Sequence, residues 1–193
     1  MNYLGYYLIG INVLGFILFI INNWLYAHTE KIRIDKLLTV VCLIGGSAGI
    51  LLSILIFDRR AEKENMMSRV FVTCMFVIQL VIFLVIRGHL TSELSLKFWE
   101  FFAEHKIIIV YLAIINFIAF AAFAVDKVAA TEHRSRIRNV TLLGLAFIGG
   151  SVGALLAMYL LHHKTQKDYY TFGVPLIMVM QVVVILYAMN AAW

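Results

Sequence analysis

The sequence carries little charge. Only 14% of its 193 residues are Asp, Glu, Lys or Arg, and 63% are hydrophobic. A soluble domain usually has about a quarter of its residues charged. A chain of this length cannot hide so much apolar surface from water, so lipid must be the solvent for much of it. The composition excludes an ordinary soluble domain and predicts an integral membrane protein.

Sequence patterns for chemistry are also scarce. The two cysteines, Cys42 and Cys74, lie inside apolar runs without metal-ligand spacing, and we interpret them as core residues. The sequence contains no recognisable nucleophile–base pair, nucleotide-binding loop or metal-ligand set, so we predict no catalytic residue, no metal and no cofactor. The net charge of +5 comes from short loops, which suits contact with anionic lipid headgroups, and no basic patch indicates nucleic acid.

Apolar runs are what the chain has in abundance. Six of them have about 19 to 23 residues, enough to cross roughly 30 Å of hydrocarbon. They are predicted near Tyr3–Trp24, Leu37–Phe57, Met67–Ile86, Ile107–Val125, Val140–Leu161 and Thr171–Ala191. The first run lacks a basic leader segment and a cleavage site, so we expect a retained span. The sequence thus predicts an all-α, multi-pass protein of the cell membrane with six transmembrane helices.

The chain also repeats itself. A shift of 104 positions places Asn12, Gly45, Gly46, Ser47 and Gly49 on Asn116, Gly149, Gly150, Ser151 and Gly153. We infer a tandem duplication of a three-span unit, with repeats at 1–87 and 107–193 and a connector at 88–106. Three crossings per unit and a connector too polar to cross predict inverted repeats, with Asn2 and Trp193 on the same side.

The connector and the loops add two expectations. An apolar stripe including Phe98 and Phe101 predicts an interfacial helix over Ser92–Glu104; the alternative is a water-exposed extension of the fourth span. Under this six-span topology Lys and Arg are equally numerous on the two faces. The positive-inside rule then gives no orientation, as expected of a protein with a dual-topology ancestor.

Polar residues near the middle of the predicted spans form the first candidate site. They are Asn12, Ser47 and Gln79 in the first half, and Asn116, Ser151 and Gln181 in the second. An unpaired amide in hydrocarbon costs several kcal/mol, so we expect these side chains to face the bundle interior and bind a solute. The alternative is hydrogen bonding that only fixes helix register. The glycines at 45, 46, 49, 149, 150 and 153 are predicted to allow close helix packing.

The second candidate site follows the fifth span. His163, Lys164, Thr165 and Lys167, together with Arg136, are predicted to contact an anion or a lipid phosphate. The alternative is that these bases extend towards the interface and complete a helix C-terminus. Asp126 and Lys127, at the end of the fourth span, form either a local ion pair or a partner for this segment. The second alternative is strained, because in a six-span topology the two loops lie on opposite faces.

The second half carries a spaced set of polar and glycine residues. In chain order these are Asn116, Asp126, Lys127, Arg136, Ile137, Gly149, Gly150, Gly153, His163, Lys164, Thr165 and Lys167. This set resembles the bacterial membrane-protein family called domain of unknown function 1294. The family has Pro-Glu where this chain has Arg138 and Asn139. The resemblance implies a bacterial inner-membrane location, a membrane fold unit and no established activity.

The first half resembles the same family less closely. It has Asn22 and Asn23 in place of Asp-Lys, and Arg59, Arg60 and Ala61 in place of His-Lys-Thr. We expect a small transporter or channel for a small polar or anionic solute, with its pathway between two inverted repeats. The alternatives are a membrane enzyme or lipid-headgroup-binding protein that uses the His-Lys-Thr segment, and a structural subunit. Expected partners are membrane lipids, a small solute or ion, and another copy of the chain.

Overall fold

The computed structural model describes residues 3–28, 35–58, 65–89 and 95–191. The helices within them are α1 (Tyr3–His28), α2 (Asp35–Val41), α3 (Ser47–Phe57), α4 (Met66–Ile86), α5 (Phe98–Glu104), α6 (Lys106–Thr131), α7 (Asn139–Leu145), α8 (Ser151–Leu160), α9 (Asp168–Thr171) and α10 (Gly173–Asn190). Two turns, Cys42–Gly46 and Ala146–Gly150, join α2 to α3 and α7 to α8.

Six helical segments in the described ranges are long and apolar enough to cross a membrane. They are Tyr3–Leu25, Asp35–Phe57, Met66–Ile86, Lys106–Thr131, Asn139–Leu160 and Asp168–Asn190. This confirms the prediction of an all-α protein with six such segments. Large apolar side chains point outwards along them, including Phe117, which is 73% exposed, and Leu160, which is 66% exposed. Such outward faces are expected where lipid is the solvent.

The second and fifth of these segments are broken at a glycine. Gly45 has φ 124° and Gly149 has φ 129°, a left-handed region that residues with a Cβ rarely adopt. The helix direction therefore changes at each of these residues. An apolar run records length and composition but not the direction that the chain takes after such a break.

The direction of α8 follows from its contacts with α6. The Gly153 N–H donates to Asn116 Oδ1 at 2.7 Å, and His163 Nε2 lies 2.7 Å from Asp126 Oδ2. Both pairs are separated by 37 positions. A constant separation means that α8 advances in step with α6, so the two helices are parallel. Ten residues of helix rise about 15 Å, which is the distance over which they stay in register.

The start of α7 and the end of α8 lie at the same level of α6. The Ile137 N–H donates to Asp126 Oδ1 at 3.0 Å, just before α7 begins. Lys164 Nζ, just beyond α8, donates to Asn139 Oδ1 at 3.0 Å. The chain therefore leaves the level of Asp126, turns near Gly150 and comes back. We call α7, the turn and α8 together the second hairpin. The turn is the tip of this hairpin, and the end where α7 starts and α8 finishes is the second mouth.

The first unit contains the same arrangement. The Gly49 N–H donates to Asn12 Oδ1 at 2.8 Å, again across 37 positions, so α3 is parallel to α1. Ten residues further along α1, Asn22 Nδ2 donates to Asp35 Oδ1 at 3.0 Å, at the start of α2. We call α2, its turn and α3 the first hairpin. Its tip lies beside Asn12, and the first mouth lies beside Asn22.

The helix α10 completes the second unit by running antiparallel to α6. The rings of Phe123 and Tyr170 meet edge to face at 5.6 Å near the mouth, and Gln181 reaches the tip. The core that these elements enclose is apolar and tightly packed. Its fully or almost fully buried members are Ala119, Phe123, Leu142, Ala146, Ala154, Ala157, Val174 and Ile177.

The hairpins bear on the predicted topology. The contacts divide the chain into two compact units, Met1–Leu80 and Val81–Trp193. In each unit the second apolar segment starts and ends at the same level. The inference of inverted repeats assumed three crossings per unit, and this geometry removes that premise. The predicted repeat boundaries at 87 and 107 stay a prediction, and Asn2 and Trp193 lie outside the described residues.

The connector is helical over a shorter stretch than predicted. Within its described part, α5 covers Phe98–Glu104, and residues 95–97 are not helical. Phe101 is half-buried, whereas Trp99 is 86% exposed. Ser92 and Leu94 lie outside the described residues. The interfacial position of this helix stays a prediction.

Two glycine substitutions in the second hairpin should have opposite effects. Gly149→Ala places a Cβ in the left-handed region, 3.2 Å from a side-chain carbon of Ile115, and should destabilise by about 1–2 kcal/mol or more. The matched control is Gly144→Ala in α7, where a Cβ meets nothing within 4 Å. That change should stabilise by about 0.5–1 kcal/mol.

Thermal unfolding in detergent, followed by intrinsic fluorescence, measures both changes. The midpoint should fall for Gly149→Ala and stay level or rise for Gly144→Ala. Equal midpoints for the two variants would mean that residue 149 does not require a left-handed backbone.

Candidate functional site

Each hairpin tip breaks a helix in an apolar environment, and polar side chains bond the groups that the break releases. Asn116 Oδ1 accepts the Gly153 N–H, while its Nδ2 donates to the carbonyls of Leu112 at 2.7 Å and Gly149 at 3.0 Å. Backbone groups away from water need such partners, since an unpaired one costs several kcal/mol. Asn116 therefore holds the tip of the second hairpin against α6.

A glutamine and a serine complete the second tip from the opposite side. Gln181 Nε2 donates to the carbonyls of Ala146 at 2.7 Å and Phe147 at 3.0 Å. The Ser151 hydroxyl donates to Gln181 Oε1. Together with Asn116, these residues bond backbone groups on both sides of the turn. The tip is therefore held by α6 and α10 at once.

The first tip is held by the corresponding residues. Asn12 bonds the Gly49 N–H, and Gln79 Nε2 donates to the carbonyls of Cys42 at 2.6 Å and Leu43 at 3.2 Å. The Ser47 hydroxyl donates to Gln79. All six residues predicted to bind a solute thus take part in hydrogen bonds that hold the hairpin of their own unit. Their contact with a solute, and a shared pathway for Asn12 and Asn116, stay predictions.

The six glycines lie at the same tips. A Cβ at Gly153 would overlap the Asn116 carbonyl, and one at Gly49 would overlap the Asn12 carbonyl. A Cβ at Gly150 would lie 2.6 Å from the Ala119 Cβ, and one at Gly46 would lie 2.6 Å from a Val41 side-chain carbon. Gly45 and Gly149 supply the left-handed backbone described above. Helix and hairpin can approach so closely because these positions have no side chain.

The second mouth gathers a cluster of charged groups around Asp126. This carboxylate is fully buried; its Oδ2 accepts from His163 Nε2 at 2.7 Å and lies 2.8 Å from Lys164 Nζ. Its Oδ1 accepts the Ile137 N–H at 3.0 Å. Arg136 lies further away, at 3.6 Å, and its side chain is 54% exposed. One carboxylate therefore joins α6 to both ends of the hairpin.

Lys164 links this carboxylate to a set of neutral polar groups. Its Nζ donates to Asn139 Oδ1 at 3.0 Å and to the Tyr170 hydroxyl at 3.1 Å, and it lies 4.8 Å from the centre of the Tyr170 ring. The Tyr170 hydroxyl donates to the same Asn139 oxygen at 3.1 Å. Asn139 Nδ2 donates to the Tyr169 hydroxyl at 3.2 Å.

The backbone conformation of this loop and the burial of the Lys164 side chain both indicate that Lys164 is held in one position. His162 and Lys164 have φ values of 47° and 62°, which cost non-glycine residues about 1–2 kcal/mol each. The Lys164 side chain is only 6% exposed. Burial lowers the pKa of Lys164 from its ordinary value, and the Asp126 carboxylate opposes part of that shift.

The structure brings together three of the five residues predicted to contact an anion. His163, Lys164 and Arg136 surround Asp126, whereas Lys167 is exposed, and the Thr165 carbonyl accepts from the Thr171 hydroxyl. The expectation that Asp126 and the His-Lys-Thr segment lie on opposite faces is wrong. The fifth segment reverses at Gly149 and returns His163 to the end of α6 from which it left.

The sequence analysis missed three members of the cluster. Asn139 was noted only as a departure from a family pattern, and neither Tyr169 nor Tyr170 was predicted to be a site residue. The repeated Gly-Gly-Ser was a signal that could have found them. A break at Gly149 allows the two ends of a hairpin to meet, which would bring Asn139 near Lys164.

The first mouth contains an open space. A cavity of about 440 Å³ lies between α1, the first hairpin and α4. Its described lining is Phe19, Asn22, Asp35, Leu38, Thr39, Cys42, Ile50, Ile54, Met67, Ser68, Phe71 and Val72. Asn22, Asp35, Thr39 and Ser68 make one end polar. Cys42, at the other end, is the first residue of the tip turn, so the cavity extends from mouth to tip.

Comparison with known proteins finds similarity in the second unit. Residues 116–170 match the profile of a family described as "Protein of unknown function (DUF1294)". The uncharacterized protein YsdA of Bacillus subtilis (strain 168) is 35% identical over 79 residues, which cover 41% of this chain and 89% of that relative. The chain belongs to the DUF1294 family. No solved structure matches the chain significantly.

The DUF1294 match coincides with the second hairpin and its anchors. It begins at Asn116, which holds the tip, and ends at Tyr170, which fills the mouth. Where the family pattern has Glu, this chain has Asn139, whose amide oxygen accepts from Lys164.

Within the described ranges, no three side chains of His, Cys, Asp or Glu come close enough together to hold a metal ion.

Removing the buried carboxylate should destabilise the second unit. Asp126→Leu leaves the Lys164 ammonium buried without its counter-charge, and loss of one partner of such a pair costs about 3–5 kcal/mol. Asp126→Leu combined with Lys164→Met removes both charges and should recover part of that loss. Thermal unfolding in detergent should therefore rank the wild type first, the double variant second and Asp126→Leu last.

The matched control is Glu104→Gln, which removes an exposed carboxylate and should leave the midpoint unchanged. A double variant less stable than Asp126→Leu would show that the two charges do not act as a pair.

Proposed function

We propose that the protein is a small membrane transporter for a small polar solute, and that its pathway begins at the first mouth. The cavity there is the observation that carries the proposal, because it leads from polar groups to the tip of the first hairpin. Pockets of about 300–1,000 Å³ are the usual size for small-molecule sites. In this proposal the cavity replaces the pathway between inverted repeats that was expected from the sequence.

The broken helices support this proposal. Each unit crosses the bilayer twice in this topology, and its hairpin enters and leaves on one side. Non-helical backbone at membrane depth is tolerated only where protein buries it or where it lines a water-filled cavity. Discontinuous helices also form the substrate sites of many transporters. The two tips are breaks in such discontinuous helices, and the first tip borders the cavity at Cys42.

The distribution of bases gives the second unit an orientation. At its mouth end lie Lys127, Arg134, Arg136, Arg138, Lys164 and Lys167, and at its tip end lie Arg87, Lys97 and Lys106. Cytoplasmic loops carry an excess of Lys and Arg. We therefore place the second mouth on the cytoplasmic side. The equal charge count of the six-span topology arose because it put the two loops of the hairpin on opposite faces.

Solute flux tests the proposal. The purified protein is reconstituted in vesicles, and shrinkage and re-swelling in glycerol, urea or choline chloride are followed by light scattering. At least one of these solutes should enter faster than into protein-free vesicles. Ser68→Tyr puts a large side chain at the first mouth and should return entry to background. Ala103→Tyr, at an exposed position of α5, is the matched control and should not.

A lipid-headgroup-binding role is the second candidate. The half-exposed Arg136 next to the buried Lys164 favours it, since together they exceed the charge of Asp126 and suit a phosphate. The same preparation separates the two roles. Background entry of all three solutes, with phosphatidylglycerol retained by the wild type and lost from Arg136→Gln, would replace the transport proposal by this one.

A further inference from the structure

We infer that the cavity at the first mouth binds a small organic cation with an aromatic or similarly bulky apolar body. The inference rests on the proposed function in making this molecule the solute. Binding itself can be measured without transport. The two mouths differ in what occupies the same place.

The second mouth is filled by the protein's own side chains. The Tyr170 ring packs edge to face on Phe123 at 5.6 Å, and its hydroxyl donates to Asn139 Oδ1 at 3.1 Å. The Lys164 ammonium donates to the same oxygen at 3.0 Å and lies over the ring. An aromatic ring and a cation thus meet one acceptor, and both Tyr170 and Phe123 are fully buried.

The first mouth keeps the receiving side of this arrangement but not the ring, and Arg60, the counterpart of Lys164, lies outside the described residues. Phe19 and Asp35 occupy the positions that Phe123 and Asn139 have in the repeat, and both line the cavity. Ser68 precedes Gln79 by as many residues as Tyr170 precedes Gln181, and both residues are the third of their helix. A serine cannot fill the volume of a tyrosine. The cavity lies where the ring is missing.

The surrounding walls agree with this account. Leu38, Cys42, Ile50 and Ile54 line the cavity and are themselves only 1–9% exposed, and their counterparts Leu142, Ala146, Ala154 and Met158 are 0–1% exposed. The inner wall of the cavity is therefore apolar and buried, and the two mouths differ at the outer end, where Ser68 is exposed and Tyr170 is buried.

The charge at the mouth indicates the charge of the ligand. The described residues that line the cavity include one carboxylate, Asp35, and no Lys or Arg. Asp35 Oδ1 accepts from Asn22 at 3.0 Å, and the residue is exposed, so the carboxylate can also receive a donor from a ligand. A carboxylate in place of the Asn139 amide favours a cation, and the apolar walls favour a ring or branched body.

Ethidium is a suitable probe, because it is a flat aromatic cation with amino donors and its fluorescence rises when it leaves water. The full-length protein in detergent should bind one ethidium per chain saturably. Ser68→Tyr should abolish this binding by supplying the missing ring. Asp35→Asn, which installs the residue found in the second mouth, should weaken it at least about fivefold. The controls Ala103→Tyr and Glu104→Gln should bind like the wild type.

The outcomes separate this inference from the transport proposal. Ethidium affinity unchanged by both Ser68→Tyr and Asp35→Asn would overturn the site. Equal loss of affinity for ethidium and for the uncharged parent ring phenanthridine in Asp35→Asn would overturn the selectivity for cations. If Ser68→Tyr fails to fold, Asp35→Asn alone decides. Binding without flux would support this site and remove the transport proposal, whereas glycerol flux without ethidium binding would do the reverse.

Discussion

A helix that is broken inside an apolar segment must find partners for the backbone groups that the break releases. Lipid offers none, so the partners have to come from the protein. Here an asparagine from one neighbouring helix and a glutamine from another supply them at each tip. The glycines allow the backbone to turn and to approach closely, and the amides make the turn tolerable in an apolar environment.

The reversal decides which residues meet. Because the second hairpin returns to the level from which it started, the loop before it and the loop after it share one end of the unit. Asp126, Asn139 and Lys164 come from three different parts of the chain and meet there. The first mouth has the same construction with different contents. In place of a buried ion pair packed under a tyrosine, it has a carboxylate at the edge of a cavity.

The sequence was sufficient to predict the class of protein, the six apolar segments and the recurrence of Asn12 and Gly45 at Asn116 and Gly149. Hydropathy and spacing report these features directly. It was not sufficient to predict the reversal, because an apolar run of about 22 residues has the same hydropathy whether it crosses or turns back. Every error about the site followed from that one. Asp126 was separated from His163 by an assumed crossing, and Tyr170 was not assigned to the site.

The two units carry different residues at corresponding places. The second has the family's residues and closes its mouth with its own side chains. In the first, the amide lies in α1 and the carboxylate in α2, since Asn22 and Asp35 stand 104 positions before Asp126 and Asn139. The first unit has Ser68 in place of a tyrosine, eleven positions before its glutamine.

The central claim is that the fifth apolar segment returns to its starting side. It is tested most directly by single cysteines at Arg134, before the second hairpin, and at Lys167, after it; both positions are exposed and the two native cysteines are buried. A membrane-impermeant maleimide is applied to vesicles of known orientation. The hairpin predicts that both positions react from the same side, and that a cysteine at Trp99, at the tip end, reacts from the other. Labelling of positions 134 and 167 from opposite sides would show a continuous crossing and contradict the account.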